Sequence, residues 1–305
     1  MLRGRDIISV SDLSRQDFEE IFRMADEILE APERWSSALR GRIMATAFFE
    51  PSTRTRLSFQ TAMLRLGGEV IDLGEVEKSS IAKGENFSDT VRMLDSYADV
   101  IVIRHKLEGA AKLAAEIAEK PVINAGDGSR NHPTQAMIDL YTIRRLHGGV
   151  DGLTIGVLGD LKYGRATNSF IAALTKFRIG RLYLISPPQL RVRDDTRELL
   201  VEAGIDFKEV QRLEEVVGEL DVLYASRIQR ERFPDPSEYE MVRGSYVITG
   251  ESLKGAKKNL TILHPLPRVN EISFEVDSTS HAKYFEQAAL GVPVRMALLK
   301  LILVG

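Results

Sequence analysis

Short apolar runs recur along this chain at a spacing that few folds accommodate. In the first half they occupy 43–49, 70–71, 100–103 and 122–123. The first suits a buried parallel strand, and the other three read as strand-like. Helical spacing fills the intervals at about 86–97, 109–119 and 133–147. This alternation predicts a parallel sheet with helices on both faces. After Gly148-Gly149 it restarts, and 153–158, 182–185, 222–225, 246–248 and 261–263 read as five more strands. The expected architecture is therefore α/β, with two doubly wound parallel-sheet domains joined by interdomain helices. The first domain is expected over 1–148 and the second over 149–283, with 133–147 as the bridging helix. A last segment, read as amphipathic from about 284 to 304, is expected to pack back on the first domain through 284–305. Near the start, Ser14 and Asp17 form a capping-box pattern. Phe18, Ile21, Phe22, Ala25, Ile28 and Leu29 follow at helical spacing and predict one buried face.

A length of 305 residues is enough for two such cores. The formal net charge of -3 provides no field for nucleic acid or an acidic membrane, so neither is an expected partner. No apolar run of about 18 residues suggests a membrane span, and the N-terminus has no apolar signal core. With no cysteine, disulfides, cysteine-ligated zinc and a thiol nucleophile are excluded, and a cytoplasmic location fits. No metal or cofactor is expected.

The most informative motif is Glu50-Pro51-Ser52-Thr53-Arg54-Thr55-Arg56, which follows a predicted strand and opens a helix at Ser52. The free N–H groups and positive dipole end of that helix suit an anion. Ser52, Thr53 and Thr55 add hydroxyls, and Arg54 offers a bidentate grip on phosphate. Taken alone, such a cluster is more simply a capped helix with solvated arginines. Further strings lie at predicted strand ends. Val102-Ile103-Arg104-His105 precedes Glu108-Gly109-Ala110-Ala111, and Asn124-Ala125-Gly126-Asp127-Gly128 precedes His132-Pro133-Thr134-Gln135. Gly159-Asp160-Leu161-Lys162-Tyr163-Gly164-Arg165 opens the second half, followed by Arg227-Ile228-Gln229-Arg230-Glu231-Arg232 and His264-Pro265-Leu266-Pro267-Arg268. The segment at 159–166 nearly spells a nucleotide-binding P-loop. However, Arg165 replaces its lysine and Ala166 its magnesium-binding hydroxyl.

In this order, the strings closely resemble the aspartate/ornithine carbamoyltransferase family over nearly the whole chain. The resemblance implies transfer of the carbamoyl group of carbamoyl phosphate to the α-amino group of an amino acid. The ornithine branch typically carries His-Cys-Leu-Pro and a Ser-Met-Gly loop. Here His264-Pro265-Leu266-Pro267 and Arg227-Ile228-Gln229 stand instead, and the surplus of arginine favours L-aspartate. The implied product is N-carbamoyl-L-aspartate, an intermediate of pyrimidine biosynthesis. Ser52, Thr53, Arg54 and Thr55 would hold the phosphate. Thr55, Arg104 and His132 would donate to the carbonyl oxygen, and Gln135 would meet the carbamoyl amide. Leu266 and Pro267, across an expected cis bond, would complete the carbamoyl phosphate site with backbone carbonyls. Arg165, Arg227 and Gln229 would hold the aspartate carboxylates together with Lys83, which in the family comes from the adjacent chain. A serine of that same loop, Ser79 or Ser80 with Ser80 preferred, would reach the phosphate of the neighbour. A homotrimer with shared active sites follows from the resemblance, which leaves open a separate regulatory chain, nucleotide effectors and cooperativity. Glu50 is expected to bridge to Arg165 and Arg232, while Arg230 and Arg232 are either solvated or interdomain bridges. Ala166, Arg130 and Asn270 depart from the family pattern, which puts one aspartate hydrogen bond, at Ala166, in doubt.

Overall fold

Four strands, all parallel, build the first sheet of the computed structural model, which describes residues 2–75, 80–230, 233 and 235–305. They are β1 (Ile43–Phe48), β2 (Glu69–Asp72), β3 (Val100–His105) and β4 (Val122–Asp127), in the order β2-β1-β3-β4. β4 is buried throughout, including the polar Asn124 and Asp127 beyond its apolar start at Val122 and Ile123. Ala45, Ala47, Ile101, Ile103 and Val122 pack with Val91 and Leu94 of α3 (Phe87–Tyr97) and Ala111 and Ala114 of α4 (Ala110–Ile117). In α1 (Arg15–Glu30), Ser14 and Asp17 close the capping box in both directions. Phe18, Ile21, Phe22, Ala25 and Ile28 are buried, whereas Leu29, expected on that face, lies outside it at 41% exposure.

The second sheet is also parallel, with β5 (Thr154–Leu158), β6 (Arg181–Ile185), β7 (Phe207–Val210), β8 (Val222–Ala225) and β9 (Thr261–Leu263) in the order β7-β6-β5-β8-β9. Two expectations are corrected here. The segment 246–248 is not a strand; Ile248 makes a single bridge to Ile272 and exchanges backbone bonds with Glu271 and Ser273. β7 was missed because it is an edge strand whose Lys208 and Glu209 face solvent, so no apolar run marks it.

The chain divides into two compact units, residues 1–137 with 290–305, and residues 138–289. It passes from the first to the second within α5 (Pro133–His147) and returns within α9 (Tyr284–Leu303). The expectation that the last segment is amphipathic is also corrected. Val294 and every residue from Met296 to Leu303 except Lys300 are buried, which leaves almost no polar face.

Each sheet has one point where the chain reverses its direction of growth. In the first, β2 is added on one side of β1 and β3 on the other, so the reversal lies between β1 and β3. In the second, the chain runs β5, β6, β7 and then crosses to β8, so it lies between β5 and β8. Crevices at the carboxyl ends of such strand pairs are where open α/β sheets bind ligands.

Candidate active site

In the first unit, β1 runs into α2 (Thr53–Arg65), with Ser52 as its extended N-cap residue. The Ser52 side chain makes no capping bond to its own helix. The first intrahelical bond runs from the Arg56 N–H to the Ser52 carbonyl, after the N–H groups an α-helix leaves without intrahelical acceptors. The approach to this turn is fixed from several sides. The Phe49 N–H donates to the Arg104 carbonyl at 2.8 Å. The Phe49, Phe87 and His105 rings form a cluster with centroids 5.0–5.5 Å apart. Below it, buried Arg295 donates to Ser58 Oγ at 2.7 Å, and Ser58 Oγ reaches the carbonyls of Arg54 and Thr55 at 2.6 and 3.0 Å. The Arg295 guanidinium also lies 4.8 Å from the Phe59 ring centre. Thr55 is buried, while Thr53 and Arg54 are exposed.

Arg104, the last but one residue of β3, lies beside Phe48 of β1, with its side chain 12% exposed. It donates to the Ala125 carbonyl at 3.2 Å and lies 3.5 Å from Glu50 Oε2, a pairing the sequence reading did not anticipate. The β4–α5 loop is organised by buried Asp127. Its two oxygens accept from Asn124 Nδ2 and from the Gly109 N–H, each at 2.9 Å. His132, 5% exposed, immediately precedes α5, and its carbonyl accepts from the Gln135 and Ala136 N–H groups. Ser52 to Thr55, Arg104, His132 and Gln135 thus gather at the carboxyl ends of three neighbouring strands, β1, β3 and β4. Ser80 and Lys83 are exposed on a short 3-10 turn (Ser80–Lys83) that comes after β2 in the chain, and β2 lies on the opposite side of β1 from β3. Ser79 and Arg232 lie outside the described residues. Arg130 lies 3.7 Å from Glu108, with both side chains about half exposed.

In the second unit, the turn after β5 approaches the turn after β8 so closely that a Cβ on Gly159 would lie 2.2 Å from the Ser226 carbonyl oxygen. Gly159 also has φ +121, outside the range of ordinary side chains. Fully buried Asp160 ties the two turns together. It accepts the Lys162 and Tyr163 N–H groups at 3.2 and 2.8 Å and the backbone N–H of Gln229. Burial pushes its pKa up to about 6 against the pull of those bonds and of Arg193. Arg165, 5% exposed, is the first residue of α6 (Arg165–Leu174). Arg227 and Gln229, half-buried, follow β8. These three residues flank the β5/β8 reversal. Leu266 and Pro267 follow β9, and the bond between them is cis, as the resemblance implies. Arg230 lies over the Tyr239 ring at 5.9 Å.

Sequence reasoning gave Asp127 and Asp160 no role. Their signal was an acidic residue beside glycine at a strand end, a place where free backbone N–H groups need an acceptor. Among the described residues, no three His, Cys, Asp or Glu side chains cluster to hold a metal, and no helix is long and apolar enough to cross a membrane.

Residues 5–145 match the family model of the aspartate/ornithine carbamoyltransferase carbamoyl-P binding domain, and residues 151–302 match the Asp/Orn binding domain of the same family. The chain belongs to the aspartate/ornithine carbamoyltransferase family. It is 68% identical over 302 residues to a protein of Thermofilum pendens named aspartate carbamoyltransferase catalytic subunit, covering 99% of this chain and 96% of that one. The catalytic subunit of M. jannaschii aspartate transcarbamoylase superposes with a TM-score of 0.88 at 50% identity, covering 97% of each chain. Aspartate transcarbamoylase from Trypanosoma cruzi, in complex with carbamoyl phosphate and aspartate, superposes with a TM-score of 0.95 at 38% identity, covering 99% of this chain and 98% of that one.

Proposed function

We propose that this chain transfers the carbamoyl group of carbamoyl phosphate to the α-amino group of L-aspartate, releasing N-carbamoyl-L-aspartate and phosphate. The observation that carries this reading is the placement of anion-binding residues at the reversal point of each sheet, Ser52 to Thr55 with Arg104 in one and Arg165 with Arg227 and Gln229 in the other. Residues 1–148 with 284–305 serve carbamoyl phosphate, and 149–283 serve aspartate. Ser52, Thr53, Arg54 and Thr55 hold the phosphate through hydroxyls, guanidinium and helix dipole. Thr55, Arg104 and His132 donate to the carbonyl oxygen as negative charge grows on it, and Gln135 orients the amide. The neutral amine of aspartate attacks the carbonyl carbon, the new C–N bond forms, and the C–O bond to phosphate breaks. The amine proton leaves with the phosphate. Arg165, Arg227 and Gln229 match the two aspartate carboxylates, and the carbonyls around Leu266 and Pro267 accept from the carbamoyl nitrogen and the amine. No metal or cofactor takes part.

Ser80 and Lys83 act from the adjacent chain of a homotrimer, in support of which both are exposed on the turn that comes after β2 in the chain. The enzyme works in the cytoplasm, in pyrimidine biosynthesis, and a separate regulatory chain is compatible with it. The purified chain, given carbamoyl phosphate with equal aspartate and ornithine, should form carbamoyl aspartate and one phosphate per turnover. Predominant carbamoyl ornithine would refute the acceptor assignment. For the shared site, Arg54→Ala and Lys83→Ala chains should each be inactive alone and regain activity in mixed trimers. Mixed trimers as inactive as their parents would place Lys83 in its own chain's site.

A further inference from the structure

The turn after β9 is held by groups that take no part in the proposed chemistry. His264 is 1% exposed, and its Nδ1 accepts the N–H of Leu266 at 2.8 Å. A ring nitrogen that accepts carries no proton, so the proton of the neutral imidazole sits on Nε2. Nε2 is 2.8 Å from Glu271 Oε1, a close contact without a straight N–H···O line. The other Glu271 oxygen accepts the N–H groups of Val269 and Asn270, each at 3.1 Å. The backbone N–H of His264 donates to Gln287, whose amide donates to Asp139 at 2.6 Å. Leu266 has φ +54, and among the described residues it is the only non-glycine with such backbone. That conformation costs about 1–2 kcal/mol, so it persists only where its surroundings enforce it. On the far side, Arg268 pairs with Asp277 and lies 4.8 Å from the Phe274 ring centre.

We propose that His264 is a positioning residue whose neutral imidazole, protonated on Nε2 and braced by Glu271, fixes the left-handed Leu266 backbone and so aims the carbonyls of this turn at the carbamoyl nitrogen and the attacking amine. This rests on the carbamoyl-transfer reading given above. Burial pushes the pKa of His264 below its ordinary value, with Arg227 and Arg268 adding to the effect and Glu271 opposing it. Burial alone would raise Glu271, but His264 and the backbone N–H groups hold it below its usual range. Both groups therefore keep the protonation states the network needs. A proton on Nδ1 would set a donor against the Leu266 N–H and open the turn.

Two substitutions separate positioning from core filling. His264→Asn keeps an acceptor close to the Nδ1 position, whereas His264→Gln keeps a donor toward Glu271 but removes the acceptor for Leu266. Turnover of His264→Asn should stay within about tenfold of the parent, and that of His264→Gln should fall about a hundredfold, the scale of an ångström-sized misplacement. Calorimetric binding of inorganic phosphate should be unchanged in both. Glu271→Gln should fall about tenfold, since it keeps an acceptor for the Val269 and Asn270 N–H groups and weakens only the brace. Equal turnover in the Asn and Gln variants, or parental turnover in His264→Gln, would overturn the assignment. If the parent chain forms no carbamoyl aspartate, the functional reading itself falls and this proposal falls with it.

Discussion

At the carboxyl end of the first sheet the proposed anion-binding residues are concentrated in one helical turn, Ser52 to Thr55, with Arg104 and His132 from the next two strands. At the second sheet it is spread over separate turns after β5 and β8, with Arg165, Arg227 and Gln229 brought together by buried Asp160 and the side-chain-free Gly159. The contrast follows from the ligands proposed for each. A phosphate is small and multiply charged, so one helix N-terminus with an arginine can satisfy it. A dicarboxylic amine presents two carboxylates several ångströms apart and needs guanidinium groups on different loops. The first site should therefore be fragile to loss of a single contact residue, and the second to loss of the groups that hold its loops together.

The largest effect is expected from Arg54→Ala, which should lower kcat/KM by about a thousandfold or more, because a charge-assisted bidentate grip has no local substitute. Steady-state kinetics with carbamoyl phosphate varied will measure it, and near-normal activity would remove the phosphate site from this turn. Next, His132→Ala should lower kcat about a hundredfold, since its donor acts on charge that develops in the transition state. Arg227→Ala should instead mainly raise the KM for aspartate, by roughly ten- to a hundredfold. Exchange of these two phenotypes would dissolve the contrast between the sites.

Gly159→Ala should destabilise the fold by about 2–4 kcal/mol and raise the aspartate KM, because its Cβ meets a backbone carbonyl at 2.2 Å rather than a movable side chain. Urea unfolding monitored by circular dichroism will test this, and an unchanged midpoint would mean the two turns are not in close contact. Asp160 gives a pH test. Burial raises its folded pKa to about 6, above the ordinary carboxylate value of 3.8. Its protonated form is therefore favoured by folding, and that contribution is present at low pH and lost as pH rises from about 4 through 6. The loss is on the order of 2–3 kcal/mol. Asp160→Asn should remove that component from a plot of unfolding free energy against pH, and parallel curves for the two proteins would contradict the burial of an ionisable Asp160. Arg130→Gln should be the smallest change, under about 0.5 kcal/mol with unaltered kinetics, because its partner Glu108 is exposed. A measurable rate effect there would extend the first site beyond its present boundary.

The same contrast governs what could be read from the sequence. The 50–56 string is contiguous and follows an apolar strand, so a strand-to-helix turn rich in anion donors is visible in it, although the resemblance was needed to prefer a phosphate site over a capped helix. Arg165 and Arg227 are 62 positions apart, and only the family resemblance joined them. Parallel strands with both faces covered announced themselves by apolar runs, but β7, with Lys208 and Glu209 exposed at the sheet edge, did not. Residues 246–248 carry strand-forming side chains and were misread because they bond to the 271–273 segment instead of joining the sheet. Buried acids such as Asp127 and Asp160 are invisible to periodicity, because what they satisfy is loop backbone N–H groups, among them Gly109 and Gln229 far along the chain.

The division of labour can be tested without turnover, by titrating inorganic phosphate calorimetrically into the parent chain, Arg54→Ala and Arg227→Ala. Arg54→Ala should lose phosphate binding, while Arg227→Ala should bind it with the parental affinity. Retained binding in Arg54→Ala together with loss in Arg227→Ala would contradict the account.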